Sequence, residues 1–195
     1  IAVLELSELL DIRATAGNGY ITFCATDLQL AELCYRTQAL RRVLRIFGQC
    51  SFTETLDALE KETTLLLKNA DLSALMGHTF RVECERIGEH GFTSRDAAAS
   101  VGKQICALSP SLEVDLENPE ITVFCHIQHD LCFVGIDFAG FDLTKREYKI
   151  YSQANTLNAA FAYCFVRFAG YTGKEVLVDP HCGVGLFPLE AALFV

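Results

Sequence analysis

Apolar and polar residues alternate along the chain with a period that changes several times between helical and extended. Residues 1–10 have helical spacing and predict an amphipathic helix. Two short extended runs flank a Gly-Asn-Gly sequence at 17–19, whose residue types accept positive φ, and predict a hairpin. Asp27 is predicted to cap a helix that runs to about Leu40, and residues 41–52 predict a strand. This order matches a ferredoxin-like unit without its first strand.

A second series of elements follows the first. Residues 53–77 have helical spacing, and residues 80–85 alternate between apolar and charged side chains as a half-buried strand does. Thr93 or Ser94 is predicted to cap a further helix, and residues 121–138 predict two apolar strands joined in a hairpin. The one apolar face predicted for that helix comprises Ala98, Val101, Ile105 and Leu108.

The final part of the chain combines a helix, a strand, a glycine turn and a second helix. Residues 154–173 predict the first helix, and the β-branched run 175–179 predicts a parallel strand covered on both faces. In the helix after the turn, Pro188 fits the first turn because its missing N–H is not needed there. The whole pattern predicts an α/β fold.

The turn between that strand and that helix is a candidate cofactor site. Gly183 and Gly185 let the backbone approach a ligand at the carboxyl end of a strand, where open α/β sheets bind ligands. The turn lacks the Lys and Ser/Thr of a P-loop, and a dinucleotide fingerprint would place its third small residue at Pro188. S-adenosylmethionine remains as the candidate ligand, because it has no phosphate and Asp179 can accept a hydrogen bond from its amino group. A simple turn without a ligand is the alternative.

Composition and charge narrow the classes of function. The chain has 195 residues, of which 51% are hydrophobic, and its net charge of −9 restricts any RNA site to a local patch. No apolar run is long enough to span a membrane, so we expect a cytoplasmic protein. The nine cysteines include no CxxC pair and are predicted to be reduced thiols, several of them in the core. No metal is expected, because alternation places Cys125 and His126 on opposite faces.

The glycine turn belongs to a longer motif. The sequence DPHCGVGLFPLEAA at 179–192 closely resembles the DPFCGSGTIPIEAA signature of THUMP-domain RNA methyltransferases. Residues 80–105 resemble the central strand, loop and helix of a THUMP domain, and residues 114–151 resemble its closing hairpin and linker. Residues 1–52 are similar to the ferredoxin-like unit that precedes such a domain.

This resemblance implies a domain order and a function. It implies a ferredoxin-like domain at 1–52, a THUMP RNA-binding domain at 53–138, a linker at 139–152 and the start of a Rossmann-like methyltransferase domain at 153–195. The implied enzyme uses S-adenosylmethionine to methylate the exocyclic N2 of a guanosine in tRNA, while the THUMP domain holds the acceptor end. The implied cofactor-binding residues are Asp179, Cys182, Gly183, Gly185, Pro188, Thr156 and Asn158.

The chain also departs from the family pattern. His181 replaces an aromatic residue, and Val184 and Leu186 replace residues with hydroxyls. The family accepts the protons of the target amine with an N/D-PP-Y/F loop, which is absent here, and the only Asn-Pro pair, at 118–119, predicts a turn. Catalytic residues are therefore not assigned, and we expect the rest of the catalytic domain to be absent. The alternative is a non-catalytic THUMP adaptor that binds tRNA and keeps a vestigial methyltransferase segment.

Candidate RNA-binding residues lie around one strand-loop-helix segment and in the linker. Backbone N–H groups at a helix N-terminus, together with cationic side chains, can bind phosphate. The alternative is that these side chains are ordinary solvated charges and a helix cap. The candidates are Arg86, His90, Thr93, Ser94, Arg95, Lys103, Lys145 and Arg146.

Overall fold

The computed structural model describes residues 1–149 and 156–195 and divides the chain into two compact units. Unit 1 comprises Ile1–Val43 and Phe141–Val195, and unit 2 comprises Leu44–Gly140. Both helices and a mixed β-sheet are present, so the predicted α/β class is confirmed. Within the described ranges, no helix has the length and apolar character needed to cross a membrane.

Unit 2 is built on a five-stranded mixed sheet. Its strands are β3 (Leu44–Ser51), β4 (Thr79–Ile87), β5 (Glu113–Val114), β6 (Ile121–Gln128) and β7 (Leu131–Asp137). Its helices are α3 (Leu56–Lys68) and α4 (Ser94–Leu108), with a 3-10 turn at Ser73–Leu75. The strand order is β3-β7-β6-β4-β5, in which β4 runs parallel to β5 and β6 and the other pairs are antiparallel.

The core of unit 2 lies between the two helices and one face of the sheet. Alternation along the strands brings every second side chain to this face, as the sequence predicts for a half-buried sheet. Thr93 caps α4, which confirms one of the two predicted caps. The buried residues of this core include Leu59, Leu67, Phe80, Ala97, Val101, Ile105, Val123, Cys125, Ile127, Cys132 and Val134.

The placement of β3 differs from the ferredoxin-like unit expected at 1–52. This strand forms an antiparallel ladder with β7, in which Cys50 lies opposite Cys132, instead of pairing with the strands of the first unit. Phe47 and Cys50 also pack against the core of unit 2. The backbone hydrogen bonds and the apolar side chains of β3 are therefore both satisfied within unit 2.

Unit 1 joins the first 43 residues to the last segment of the chain. Its two-stranded sheet confirms the predicted hairpin around the Gly-Asn-Gly turn. Arg167 forms an ion pair with Glu8 at 2.7 Å, which connects the last segment to the first helix. The elements of unit 1 are α1 (Ala2–Leu10), β1 (Thr15–Ala16), β2 (Ile21–Thr22), α2 (Asp27–Arg36), α5 (Ala159–Phe168) and α6 (Leu186–Phe194).

The ends of α2 differ from the prediction at both sides. Thr26, and not Asp27, caps the helix by accepting a hydrogen bond from the Gln29 N–H at 3.3 Å. The helix ends at Arg36 and not near Leu40. The buried Glu5 carboxylate accepts hydrogen bonds from the next backbone N–H groups, of Gln38 at 2.7 Å and of Ala39 at 3.2 Å, so these groups cannot continue the helical ladder.

The predicted strand at 175–179 is not formed. No strand among the described residues pairs with this segment, and Val176 and Val178 are 91% and 78% exposed. A parallel strand is stable only when neighbouring strands take its hydrogen bonds and cover both its faces. The prediction of a covered parallel strand is therefore wrong for this segment, because its apolar composition does not supply the neighbouring strands.

Gly135 provides a test of the β3–β7 pairing. A Cβ atom at this position would lie 2.4 Å from the Arg45 carbonyl oxygen and 2.7 Å from the Ile46 Cα atom. We expect Gly135→Ala to lower the free energy of unfolding by about 1–3 kcal/mol, because the backbone of β3 has to move. Urea unfolding of the purified variant measures this change.

The matched control is Gly102→Ala in α4, where the nearest atom to a new Cβ is Val82 Cγ2 at 3.5 Å. This variant should be neutral or more stable by up to about 1 kcal/mol, since alanine favours a helix over glycine. Equal losses in the two variants would contradict the proposed close contact.

Candidate functional site

The glycine turn has the backbone geometry that only glycine adopts easily. Gly183 and Gly185 have φ angles of 52° and 74°. The Gly185 N–H donates to the Cys182 carbonyl at 2.7 Å, and its own carbonyl accepts from the Leu189 N–H at 3.0 Å, so the turn leads directly into α6. Cβ atoms at the two glycines would meet nothing closer than 3.8 Å. A Cβ atom at either glycine would therefore make ordinary van der Waals contact, and the positive φ angles are what favour glycine here.

Asp179 precedes this turn and presents one carboxylate oxygen to it. Its Oδ1 atom accepts a hydrogen bond from the His181 N–H at 3.1 Å. Its Oδ2 atom is buried and has no hydrogen-bond donor among the residues that the structure describes. A buried carboxylate oxygen without a donor is costly, so this atom favours a ligand that brings an N–H or O–H group.

The start of α5 lies close to the start of α6. Ala159, Ala162 and Leu186 form one buried cluster, and Val184 packs against it. Asn158 caps α5 through a 2.9 Å hydrogen bond from the Ala160 N–H, and its Nδ2 group donates to Thr144 at 2.9 Å. Asn158 lies at the start of α5 and its side chain already has structural partners, and Thr156 is partly buried. The contact of these two residues with a cofactor stays a prediction.

The residues that depart from the family pattern have different environments. Leu186 is buried, and Val184 is half-buried against the same cluster, so both contribute to the packing of α5 on α6. His181 and Cys182 are exposed, and Pro188 lies in the first turn of α6, as predicted. The two apolar replacements thus have a packing role that a serine or threonine would not fill as well.

A buried carboxylate on α6, the helix that follows the turn, has several hydrogen-bond partners. Glu190 is fully buried and accepts from Arg146 Nε at 3.0 Å and from Gln38 Nε2 at 2.8 Å. The Tyr148 hydroxyl also donates to it. Burial, together with the neighbouring Glu190 carboxylate, raises the pKa of Tyr148 and keeps this donor protonated.

Arg146 has a structural role in unit 1, and its RNA contact stays a prediction. Its side chain is 12% exposed, and Nη1 and Nη2 donate to the carbonyl oxygens of Leu143 at 2.6 Å and Gln38 at 2.8 Å. Each of its three nitrogen atoms has a partner inside unit 1, so a phosphate would compete with these hydrogen bonds. The neighbouring Lys145 is exposed.

In unit 2, Arg86 and His90 form one connected group. Arg86 Nη1 lies 3.2 Å from His90 Nδ1, and His90 Nε2 lies 2.7 Å from the His129 carbonyl oxygen. Arginine can only donate, so Nδ1 accepts and Nε2 carries the proton of a neutral imidazole. The His90 ring also stacks on Phe52 with a centroid distance of 5.7 Å. These contacts hold the Arg86 guanidinium in one place.

The N-terminus of α4 carries the remaining candidates. Thr93 and Asp96 form a reciprocal capping box, and the backbone and hydroxyl hydrogen bonds from Thr93 lower the pKa of Asp96. Ser94 is the first residue of the helix and is half-buried, whereas Arg95 and Lys103 are exposed. The structure therefore places exposed cations along this helix, but the Asp96 carboxylate lies at its N-terminus.

Comparison with known families and proteins now defines the two parts of the chain. The family described as "THUMP domain" matches residues 53–137, and the family described as "RMKL-like, methyltransferase domain" matches residues 146–195. The chain is 32% identical over 184 residues to the tRNA (guanine(6)-N2)-methyltransferase of Archaeoglobus fulgidus. That alignment covers 91% of this chain and 46% of the relative.

The chain contains a THUMP domain and a methyltransferase segment. The Arg86–His90 group and the α4 candidates lie in the THUMP domain, and the Asp179 turn lies in the methyltransferase segment. The chain spans about half the length of the curated relative from A. fulgidus.

Solved structures support the fold. TrmN from Thermus thermophilus matches with a TM-score of 0.69 at 23% identity, covering 97% of this chain and 56% of that chain. SMU.472 complexed with SAH matches with a TM-score of 0.73 at 19% identity, covering 97% of this chain and 52% of that chain.

Sequence reasoning missed several contacts that build these sites, and it named Arg146 only as an RNA candidate. Gln38, Arg146 and Glu190 meet in space although they are far apart in the chain, and no local pattern connects them. Phe52 and Phe92 flank His90, but their apolar character indicated only a core position. Only for Glu190 did the sequence contain an indication of this role, because a glutamate within the apolar run of the last helix needs a buried partner.

Because of the buried ion pair, we expect substitutions of the adjacent residues Arg146 and Lys145 to change the free energy of unfolding by different amounts. Arg146→Ala leaves the Glu190 carboxylate buried without its charge partner, so we expect the free energy of unfolding to fall by about 3–5 kcal/mol. Lys145→Ala removes an exposed charge and should change it by less than about 0.5 kcal/mol. Urea denaturation of the two variants compares these values, and a similar loss in both would show that the ion pair does not stabilise unit 1.

Proposed function

We propose that the full-length protein binds tRNA through its THUMP domain and transfers a methyl group from S-adenosylmethionine to the exocyclic N2 of a guanosine. The observation that carries this proposal is the buried Asp179 Oδ2 atom beside the glycine turn, for which the described part of the chain supplies no hydrogen-bond donor. The similarity to the tRNA (guanine(6)-N2)-methyltransferase of A. fulgidus supports the reaction, and the fold shared with an SAH-bound methyltransferase supports the cofactor.

The methyltransferase segment would bind the cofactor by its polar groups. When bound, S-adenosylmethionine supplies an electrophilic methyl group. Asp179 Oδ2 would accept from the amino group, and the backbone at Gly183 and Gly185 would come close to the ligand, because glycine has no side chain of its own. Cys182 and Pro188 border this turn, while Thr156 and Asn158 at the start of α5 would line the opposite side.

The target amine is a poor nucleophile because its lone pair is delocalised into the guanine ring. A base or a proton acceptor is therefore needed at the moment of transfer. No residue among 1–195 is assigned this role, since the N/D-PP-Y/F loop of the family does not occur in this sequence. The roles proposed for residues of this sequence are therefore binding and positioning of the cofactor and the tRNA.

The THUMP domain would bind the backbone of the tRNA acceptor end. Arg95 and Lys103 are exposed on α4, and Arg86 is held in place by His90. Thr93 and Ser94 at the helix N-terminus would add a hydroxyl and backbone N–H groups to the same phosphate contact. Lys145 is a further exposed cation in unit 1. A tRNA substrate and nine free cysteines fit a cytoplasmic protein.

A tRNA-binding adaptor without cofactor is the second candidate function. The packing of Val184 and Leu186 favours it, because these residues replace hydroxyls that would donate or accept hydrogen bonds near the turn. In that case the glycine turn would be a structural connection between the segment at 175–179 and α6. The two candidates differ in cofactor binding and share the same THUMP surface.

Cofactor binding depends on Asp179 if the first candidate is correct. We expect isothermal titration of S-adenosylmethionine into the full-length protein to show one binding event, and Asp179→Ala to weaken it at least about tenfold, because the ligand amine loses a buried acceptor. Glu175→Ala is the control, since that exposed carboxylate interacts locally with Thr172. Folded wild-type protein that releases no heat would favour the adaptor.

RNA binding depends on the cations of α4. We expect the Arg95→Ala, Lys103→Ala double variant to bind tRNA about tenfold more weakly and to reduce the slope of log K against log salt, because fewer counterions are released. Filter binding at several salt concentrations measures both quantities. The control is Lys61→Ala, Lys68→Ala, which removes two exposed cations from α3. Equal weakening by the control would show that only net charge matters.

A further inference from the structure

A cavity of about 570 Å³ lies at one end of the sheet of unit 2. Strands β4 and β6 begin beside it and β7 ends there, and the loop before β6 forms another wall. Its volume is within the range of about 300–1,000 Å³ that is usual for small-ligand sites. The Arg86–His90 group lies near the other end of β4, so this cavity is separate from the RNA-binding candidates described above. We call it the Arg81 pocket, after one of its wall residues.

Three polar side chains of the Arg81 pocket form a row across adjacent strands. Arg81 on β4 is the register partner of Thr122 on β6. In the ladder between β6 and β7, Val123 lies opposite Ile136, so the same register brings Thr122 beside Asp137. Neighbouring strands are about 4.8 Å apart, so the row extends over about 10 Å. It presents a guanidinium at one end, a hydroxyl in the middle and a carboxylate at the other end.

Arg81 has a donor that the described residues do not use. Its Nη2 atom forms an ion pair with Glu83 at 2.5 Å, which holds the guanidinium in place. Its Nε atom is buried and has no hydrogen-bond acceptor in the described part of the chain. A buried N–H group without an acceptor is costly. This end of the row therefore favours a ligand that brings an acceptor atom.

The rest of the pocket is rich in carboxylates. Asp137 is 4% exposed, and the exposed Glu117 and Glu120 belong to the loop before β6. Because these three negative charges outnumber the one on Arg81, the pocket disfavours phosphate and other anions. A neutral ligand with N–H donors on one side and acceptor atoms on the other side matches the row.

Guanine is the nucleobase with this arrangement. Its N1–H and N2–H₂ groups are adjacent donors that one carboxylate can accept together, and its O6 and N7 atoms are acceptors that suit arginine. Adenine presents an acceptor, N1, where guanine presents a donor, so a carboxylate would repel it. The half-buried Phe138 also lines the pocket, and unpaired bases in protein–RNA complexes commonly stack on aromatic rings.

We propose that the Arg81 pocket binds an unpaired guanine base of RNA. Arg81 donates to O6 or N7, and Asp137 accepts from N1–H and N2–H₂. The pocket would thus give the THUMP domain a preference for one base, whereas phosphate contacts carry no sequence information. This guanine site rests on the tRNA binding proposed above and adds a base-specific contact to it.

The test is fluorescence anisotropy of the full-length protein with labelled uridine heptamers that carry guanosine, inosine or adenosine at the central position. We expect the guanosine heptamer to bind about tenfold more tightly than the other two, because inosine lacks the N2 amino group and adenosine lacks both donors. The ratio of the affinities is the readout, since it does not depend on general attraction between charges.

Two variants connect this preference to the pocket. Asp137→Asn and Arg81→Gln should each reduce it to less than about twofold, because each removes one side of the recognition. Glu113→Gln is the control, since it removes an exposed carboxylate on β5 outside the pocket, and it should keep the preference. Circular dichroism checks that every variant is folded, and Arg81→Gln changes a partly exposed side chain if Asp137→Asn fails to fold.

Binding of whole tRNA, measured in parallel, separates this site from the function proposed above. Protein that binds tRNA but binds the three heptamers equally or not at all overturns the guanine site and leaves tRNA binding intact. Failure to bind either tRNA or the heptamers contradicts both. A preference for guanosine that persists in both folded variants places the recognition outside the pocket. Guanosine monophosphate that binds more tightly than the guanosine heptamer assigns the pocket to a free nucleotide and overturns its assignment to RNA.

Discussion

The buried Glu190 carboxylate is the contact on which the arrangement of unit 1 depends. Gln38 follows α2, Arg146 lies in the segment before α5, and Glu190 is on α6, so one charged group connects three separate parts of the chain. A fully buried carboxylate is tolerated only when its partners are present. The helix that begins at the glycine turn is therefore fixed in place by residues more than forty positions away.

The two units use polar groups in different ways. In unit 1 the polar groups of Glu5, Gln38 and Glu190 are inside, where they satisfy helix ends and one another. In unit 2 the core face of the sheet is apolar or sulfur-containing, and exposed cations lie on both α3 and α4. A locally positive surface can therefore exist on a protein whose net charge is −9.

The sequence predicted local features well and long-range pairing less well. The hairpin of β6 and β7, the capped α4 and the turn into α6 follow from periodicity, cap residues and glycines, which act over a few residues. The position of β3 and the role of Arg146 depend on partners that are distant in the chain. The segment at 175–179 shows the same limit, since strand propensity needs a neighbouring strand before it gives a strand.

The hydrogen bond between His90 and the His129 carbonyl connects an RNA candidate to the backbone of a hairpin turn. His129 has a φ angle of 53°, so its carbonyl direction is set by an uncommon backbone conformation. The carbonyl orients the His90 imidazole, whose other nitrogen is hydrogen-bonded to the Arg86 guanidinium. A change in the turn between two strands would thus change the position of a positive charge on a third strand.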